Sequence, residues 1–136
     1  MKVFRISDQS LEELPVPDLN GIEQLYDFDI SPDGRELAAA GYHGVHRWSL
    51  SDSEVRHIEW FPHNFHAVSY APDGHRLALN SGLGGPTRGL VIRNLETGLD
   101  EQTIPLPEDV RQVKYLEDGR HTLTVNANGT LYILRP

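Results

Sequence analysis

Apolar and polar residues alternate in short segments along this chain, and Gly-, Pro- and Asp-rich turns separate them. Leu25-Tyr26-Asp27-Phe28-Asp29-Ile30, His66-Ala67-Val68-Ser69-Tyr70 and Val110-Arg111-Gln112-Val113-Lys114-Tyr115 carry the period of two of a strand with one buried face. Each runs into a turn: Ser31-Pro32-Asp33-Gly34, Ala71-Pro72-Asp73-Gly74 and Leu116-Glu117-Asp118-Gly119. Pro presets φ, Asp bonds its own backbone and Gly supplies a positive φ, so each sequence predicts a hairpin turn. A short apolar run follows each turn (Leu37-Ala38-Ala39-Ala40, Leu77-Ala78-Leu79, Leu123-Thr124-Val125), and then a third segment. That segment is Val45-His46-Arg47-Trp48-Ser49-Leu50, Leu90-Val91-Ile92-Arg93-Asn94-Leu95 or Leu131-Tyr132-Ile133-Leu134. Helical periodicity is absent. Leu11-Glu12-Glu13-Leu14 comes nearest, but Pro15 and Pro17 stop it, and it reads as an outer strand or an ordered edge segment.

The Asp-Gly pairs lie 40 and then 45 residues apart, so the unit is an internal repeat. Val3-Phe4-Arg5-Ile6-Ser7 matches Val45-His46-Arg47-Trp48-Ser49 at an offset of 42, a leftover half unit. The chain divides into a partial unit at 1–21, units at 22–61 and 62–107, and an incomplete unit at 108–136. Gly44 and Gly129 are expected in the left-handed region of the second hairpin turns. Ser81 to Gly89, rich in glycine, predicts an exposed loop. Phe28, Tyr70 and Tyr115 stand at similar first-strand places and predict core between units, and Trp48 and Trp60 frame the first full unit. Trp60-Phe61-Pro62 lies in the connection between units, either as core or as an exposed aromatic anchor.

The order of strand, Ser-Pro-Asp-Gly, Leu-Ala-rich strand, turn glycine and a strand ending in Trp resembles the WD-repeat β-propeller family. Ser31-Pro32-Asp33-Gly34, Leu37-Ala38, Gly44 and Trp48-Ser49-Leu50 carry the first copy. Ala71-Pro72-Asp73-Gly74, Leu77-Ala78 and Arg93-Asn94-Leu95-Glu96-Thr97-Gly98 carry the second, and the third is degenerate. The resemblance runs from about residue 22 to the C-terminus. It implies an all-β fold of four-stranded antiparallel blades, about three per chain. The sequence departs from the family at the Trp-Asp pair: Trp survives only as Trp48, with Arg93 and Leu134 at the corresponding places and Ser49 or Asn94 for the Asp. The family's buried Asp-His-Ser-Trp network is therefore expected to be missing. The Tol-type propeller repeat shares the Ser-Pro-Asp-Gly turn, while Trp48-Ser49-Leu50 and Asn94-Leu95-Glu96-Thr97-Gly98 favour the WD type.

Closed propellers have about four to eight blades, and repeat units are not stable singly. About three blades thus predict either part of a larger propeller or a homodimer whose copies associate head to tail into one ring. In that ring the outer strand beyond Tyr132–Pro136 comes from residues 11–17.

Composition narrows the partners. Charged residues make up 24%, hydrophobic residues 38%, and the net charge is -8, a globular profile that disfavours nucleic acid and anionic membranes. No segment approaches the roughly 18 apolar residues of a membrane span. The apolar run after Met1-Lys2 is short for a signal peptide, so the expected compartment is the cytoplasm. With no cysteine there is neither a disulfide nor a thiolate site.

Candidate chemistry is sparse. His43 and His46, like His63 and His66, stand three apart and would point to opposite strand faces, so His43, His46, His57, His63, His66, His75 and His121 read as surface residues on loops and strand ends rather than ligands. Asp27 and Asp29 share a strand face, where solvent, in preference to a cation, is expected to meet them. Gly82-Leu83-Gly84-Gly85 lacks the Gly-Lys-Ser/Thr and helix of a phosphate loop. No nucleophile signature is present, so neither a catalytic residue, a cofactor nor a metal is expected.

The resemblance implies a non-catalytic module binding a protein or peptide on one loop face: residues 18–25, 60–66 and 106–109 with the turns at 42–44, 81–89 and 126–129. His43, Trp60, His63 and Arg88 are its candidate contacts. The alternative is an accessory or gating propeller of a hydrolase or a glycan-handling enzyme.

Overall fold

The structure, a computed structural model, describes residues 3–14, 24–42, 44–50, 55–60, 64–81 and 88–136. Thirteen strands follow one another: β1 (Val3–Ser7), β2 (Ser10–Leu14), β3 (Leu25–Ile30), β4 (Glu36–Gly41), β5 (Gly44–Ser49), β6 (Val55–Trp60), β7 (Val68–Tyr70), β8 (Arg76–Ser81), β9 (Gly89–Asn94), β10 (Asp100–Pro105), β11 (Val110–Tyr115), β12 (Thr122–Asn126) and β13 (Leu131–Leu134). They form a β1-β2 hairpin, two four-stranded sheets β3-β4-β5-β6 and β7-β8-β9-β10, and a three-stranded sheet β11-β12-β13. Neighbouring strands are antiparallel and consecutive in the chain. These are the blades of a partial propeller. None of the described residues is helical, so none forms a helix long and apolar enough to cross a membrane.

The same first turn is made in all three blades. Gly34, Gly74 and Gly119 have φ of 71°, 75° and 64°. In each, an Asp carboxylate accepts a backbone N–H two residues on: Arg35 to Asp33 at 3.0 Å, His75 to Asp73 at 2.9 Å and Arg120 to Asp118 at 2.9 Å. The His121 ring, 2.6 Å from Asp118, is the largest influence holding that carboxyl down to about 2, with the N–H groups of Arg120 and His121 adding to it.

The second turns differ from expectation. Gly129 is left-handed at φ 83°, but Gly44 sits at 150°, in the mirror-extended region. Gly89, which opens the same strand of the next blade, sits at 148°. Both glycines are the first residues of third strands, facing Gly41 and Ser81 across the pair, so the repeat uses them to enter the strand rather than to turn. A Cβ at Gly89 would run into the Ile104 carbonyl oxygen.

Each blade presents alternate residues to its two neighbours. Ala38, Ala40 and Val45 of the first blade pack against Val68, Tyr70, Leu77 and Leu79 of the second. Ala78, Leu90 and Ile92 on the second blade's other face pack against Val113 and Tyr115 of the third. Leu37, Ala39, Trp48 and Leu50 form a further buried cluster on the first blade's far face. Strand register puts Trp48, Arg93 and Leu134 at one repeat place, opposite Leu37, Leu77 and Thr122. Trp48 is buried with no hydrogen-bond partner for its Nε1, whereas Arg93 at that place pairs with Asp100 at 2.7 Å.

Two first-strand expectations need correction. Tyr70 and Tyr115 are core, but Phe28 is exposed, because the turn aligns Ile30, not Phe28, with those tyrosines and no blade among the described residues covers that side of β3. Asp27 and Asp29 meet neither solvent nor a cation alone. Asp27 accepts the Val68 N–H at 3.0 Å. Asp29 accepts the Tyr70 N–H at 2.8 Å and the Ser69 hydroxyl at 3.1 Å, and Ser69 Oγ in turn accepts the Tyr115 N–H at 3.1 Å. Three innermost strands are thereby stitched in series. Burial pushes the Asp27 carboxyl up, against the pull of the Val68 N–H.

The histidines are not all on the surface either. His46 lies buried within β5, because its place on the strand faces the Trp48 side of the sheet. Burial holds its pKa below 6.5. The unfolded chain then binds the additional proton, so stability is undiminished above about pH 6.5 and falls as pH drops towards the folded value. The melting temperature is expected to fall on acidification from neutral pH, and to fall less in His46→Gln, as read by circular dichroism across pH. Gly89→Ala combines a disfavoured φ with a backbone clash and is expected to cost roughly 3–4 kcal/mol in urea unfolding. Gly34→Ala meets nothing within 4 Å. It should cost only about 1–2 kcal/mol, the strain of a left-handed backbone.

Candidate functional site

The Pro-Asp-Gly turns gather at one end of the blades, and the connections between blades gather at the other. A cleft of about 1060 Å³ opens at the turn end between the first two blades, with Ser31, Asp33, Glu36, Arg47, Asp73 and His75 among its lining. Its charges are largely spent on one another. Arg47 pairs with Glu36 at 2.5 Å, and the Tyr70 hydroxyl donates to the same carboxylate at 3.3 Å. Burial is the main cause that pushes Tyr70 up to about 12. Asp73 holds Arg76 at 2.6 Å, and His75 lies 3.2 Å from Glu96.

A smaller pocket of about 430 Å³ lies at the opposite end, the loop face indicated by the sequence. Tyr26, His66, Asn80, Asp109, Val110, Arg111 and Ala127 line it. Tyr26, His66 and Arg111 each stand five residues before the first residue of their turn, Ser31, Ala71 and Leu116. They are one repeat place, within β3 and β11 and just ahead of β7, and the stacking of blades brings them to one mouth. The Tyr26 and His66 rings stack with centroids 4.3 Å apart and planes 3° apart. The Tyr26 hydroxyl is turned outward, donating to Gln24 Oε1 at 2.9 Å. His66 Nε2 is buried without a hydrogen-bond partner. Arg111 is exposed.

Asn80 fixes the floor. Its Oδ1 accepts the N–H groups of His66 at 2.7 Å and Ala67 at 2.9 Å, and its Nδ2 donates to the Val110 carbonyl at 3.0 Å. One buried amide thus ties the entry into β7 to the start of β11. Arg88 stands at the rim, 3.4 Å from Asp109, and neutralises that carboxylate.

Of the four contacts expected from sequence, Arg88 alone is brought to this pocket by the described side chains. Trp60 ends β6 opposite Gly44, with only its backbone described. His43 and His63 lie outside the described residues. Tyr26, His66 and Arg111 were missed as a set, although their common offset before the turn was available as a signal. Among the described residues no three His, Cys, Asp or Glu side chains converge as metal ligands. The lining contains no hydroxyl or thiol nucleophile other than the Tyr26 phenol. What the pocket offers is a flat aromatic stack beside a guanidinium and an unspent imidazole nitrogen.

Blades with a loop-face pocket of this kind define a segment of a β-propeller. No protein-family model matches the sequence, and no curated protein matches it. Among solved structures, the chain is similar to a chain of Kuenenia stuttgartiensis hydrazine synthase, with a TM-score of 0.71 and 16% sequence identity. The superposition covers 89% of this chain and 34% of that one, so the chain spans about a third of the length of its structural neighbour. At that identity the likeness is one of fold.

Because Asn80 serves three backbone groups and Arg111 serves none that holds the fold, the two should separate in a stability measurement. Asn80→Ala is expected to cost roughly 2–4 kcal/mol in urea unfolding, through buried donors and an acceptor left unpaired. Arg111→Ala should stay within about 0.5 kcal/mol of the parent.

Proposed function

We propose that this chain is a non-catalytic binding module that takes a protein or peptide partner on its loop face, in the pocket of Tyr26, His66 and Arg111. The observation that carries the reading is the convergence of one repeat place from three successive blades into a pocket where Arg111 and His66 Nε2 are not used by the fold. Arg111 is a donor, His66 Nε2 donates in its Nε2–H tautomer, and Asp109 is already paired with Arg88, so the partner group that fits is a carboxylate next to an apolar or aromatic side chain. An Arg guanidinium binds a carboxylate through paired donors, and a Tyr–His stack offers rigid apolar area at little entropic cost. The overall net charge of -8 makes a local cationic mouth on this chain selective for such a group rather than a general anion trap. The repeat is read as WD-type on Trp48 and the turns, a support drawn from the sequence.

Selection from a displayed random peptide library tests this. Enriched peptides are expected to carry an acidic residue, and Arg111→Glu should weaken them by about tenfold or more. Tyr26→Ala should also weaken them, with melting temperatures unchanged. Failure to enrich any peptide, or full affinity in Arg111→Glu, would overturn the proposal.

A further inference from the structure

The two seams between blades are built at the same repeat places but from different side chains. At the first seam Leu77 and Leu79 of β8 pack against the first blade, and the Tyr70 hydroxyl donates to Glu36. Counted from the turn glycines, Thr122 and Thr124 of β12 stand where Leu77 and Leu79 stand, and Tyr115 stands where Tyr70 stands. Thr122 lies opposite Tyr115 and Thr124 opposite Val113, on the face that meets the second blade, and both threonines are 0% exposed. Neither threonine hydroxyl has a hydrogen-bond partner, and the Tyr115 hydroxyl and Asn126 Oδ1 are buried without one as well. At the first seam Arg47 Nε is also without a partner, but Glu36 holds the same guanidinium. A buried hydroxyl or carbonyl left unpaired costs its full desolvation, whereas a leucine at the same place gains from burial.

The stitches differ in the same direction. Carboxylates of Asp27 and Asp29 hold β7, while the neutral Ser69 hydroxyl and Asn80 amide hold β11. Two ion pairs also reach the third blade, Lys114 with Asp29 and Arg88 with Asp109, each at 3.4 Å with an exposed cation, and such pairs add little. Place in the array acts on top of this, since an end repeat has one neighbour to hold it. The first blade's far face is closed: Leu37, Ala39 and Trp48 are no more than 1% exposed. On the third blade's far face Leu131 and Ile133 are 61% and 69% exposed, and β13 has a strand on one side only.

We propose that β11, β12 and β13 form one cooperative unit that opens away from the second blade as a piece while the first two blades stay folded. Sub-global openings of this kind follow contiguous units of low local stability. The loop-face pocket is shared across the same seam, with Tyr26, His66 and Asn80 on one side and Val110, Arg111 and Ala127 on the other. Opening therefore carries Arg111 away from the Tyr26–His66 stack and breaks the bond from Asn80 to the Val110 carbonyl. The pocket is complete only when the third blade is docked. The opening itself stands on the two seams, whatever the pocket binds.

Native-state hydrogen exchange of the full chain in low urea tests it, under conditions where exchange follows the opening equilibrium. Amides of β11–β13 are expected to exchange as a group, about tenfold or more faster than the slowest amides of β4. Gly34→Ala strains the turn of the first blade alone. It should speed exchange in β4 by about fivefold or more and leave β11–β13 unchanged, because the first blade is intact when the third one opens. Thr124→Val replaces an unpaired hydroxyl with a methyl group and should slow exchange in β11–β13 by about fivefold or more. Equal or greater protection in β11–β13, or a Gly34→Ala effect of the same size in both regions, overturns the proposal, since unfolding is then all-or-none. A Thr124→Val chain that exchanges in β11–β13 as fast as the parent overturns the seam as the cause.

Discussion

The innermost strand of each described blade has one edge without a strand partner, and on β7 and β11 N–H groups face the preceding blade instead of a ladder. Unpaired backbone groups in a part-buried place are costly, and the structure meets that cost with side chains. Asp27 and Asp29 reach forward to the N–H groups of Val68 and Tyr70, and Ser69 reaches forward to that of Tyr115. The two carboxylate bonds are charge-assisted and about twice as strong as neutral ones. Together these stitches set the spacing and order of β3, β7 and β11, and everything else follows from that spacing. The apolar faces between blades can pack only once the inner strands are held at the right separation.

With the inner strands fixed, the outward parts of each blade vary without harm. The place occupied by Trp48 in the first blade is taken by an Arg in the second and a Leu in the third. Each solution is different: an aromatic in an apolar cluster, a guanidinium held by Asp100, and a leucine packed at the margin of the second core cluster. The conserved-looking turn, by contrast, is built the same way each time, since a left-handed residue and an Asp cap leave no alternative chemistry. The repeat is therefore rigid in its backbone requirements and permissive in its side-chain filling.

That division explains what could be read from the sequence. Positive-φ glycines and Asp caps are local, so Pro-Asp-Gly and its Glu-Asp-Gly variant foretold the hairpins, and period-two alternation foretold the strands. The stitches were illegible because their partners are backbone N–H groups, which carry no residue signature; Asp27 and Asp29 looked like a solvated face. Gly44 was misplaced for a related reason. A glycine signals a forbidden region of backbone, but not which one. Phe28 shows the limit of pattern: its alternation predicts burial, and only the presence of a preceding blade's inner strands would deliver it. For the site, loop residues were chosen by type, and Arg88 reached the pocket as a neutralising partner rather than as a principal contact.

The loop-face pocket follows from the same geometry that makes the fold stable. A place at the entry to each inner strand lies beyond the stitched stretch, so it is relieved of packing duty while still being carried to the pocket by the stacking of blades. Tyr26, His66 and Arg111 differ from one another although the backbone treats them alike, and they differ where the repeat asks nothing of them. Immediately beneath, Asn80 does have a structural task and is fully engaged in it. A boundary between engaged and unengaged polar groups thus runs through the pocket wall. On one side side-chain identity is dictated by backbone donors and acceptors; on the other it is free to be set by a partner. Polar groups on the free side desolvate at no gain to the fold, and a buried imidazole nitrogen without a partner is the clearest instance. At a pocket wall such a group is the physical ground for proposing the mouth, rather than the wider and self-neutralised cleft at the turn end, as the binding place.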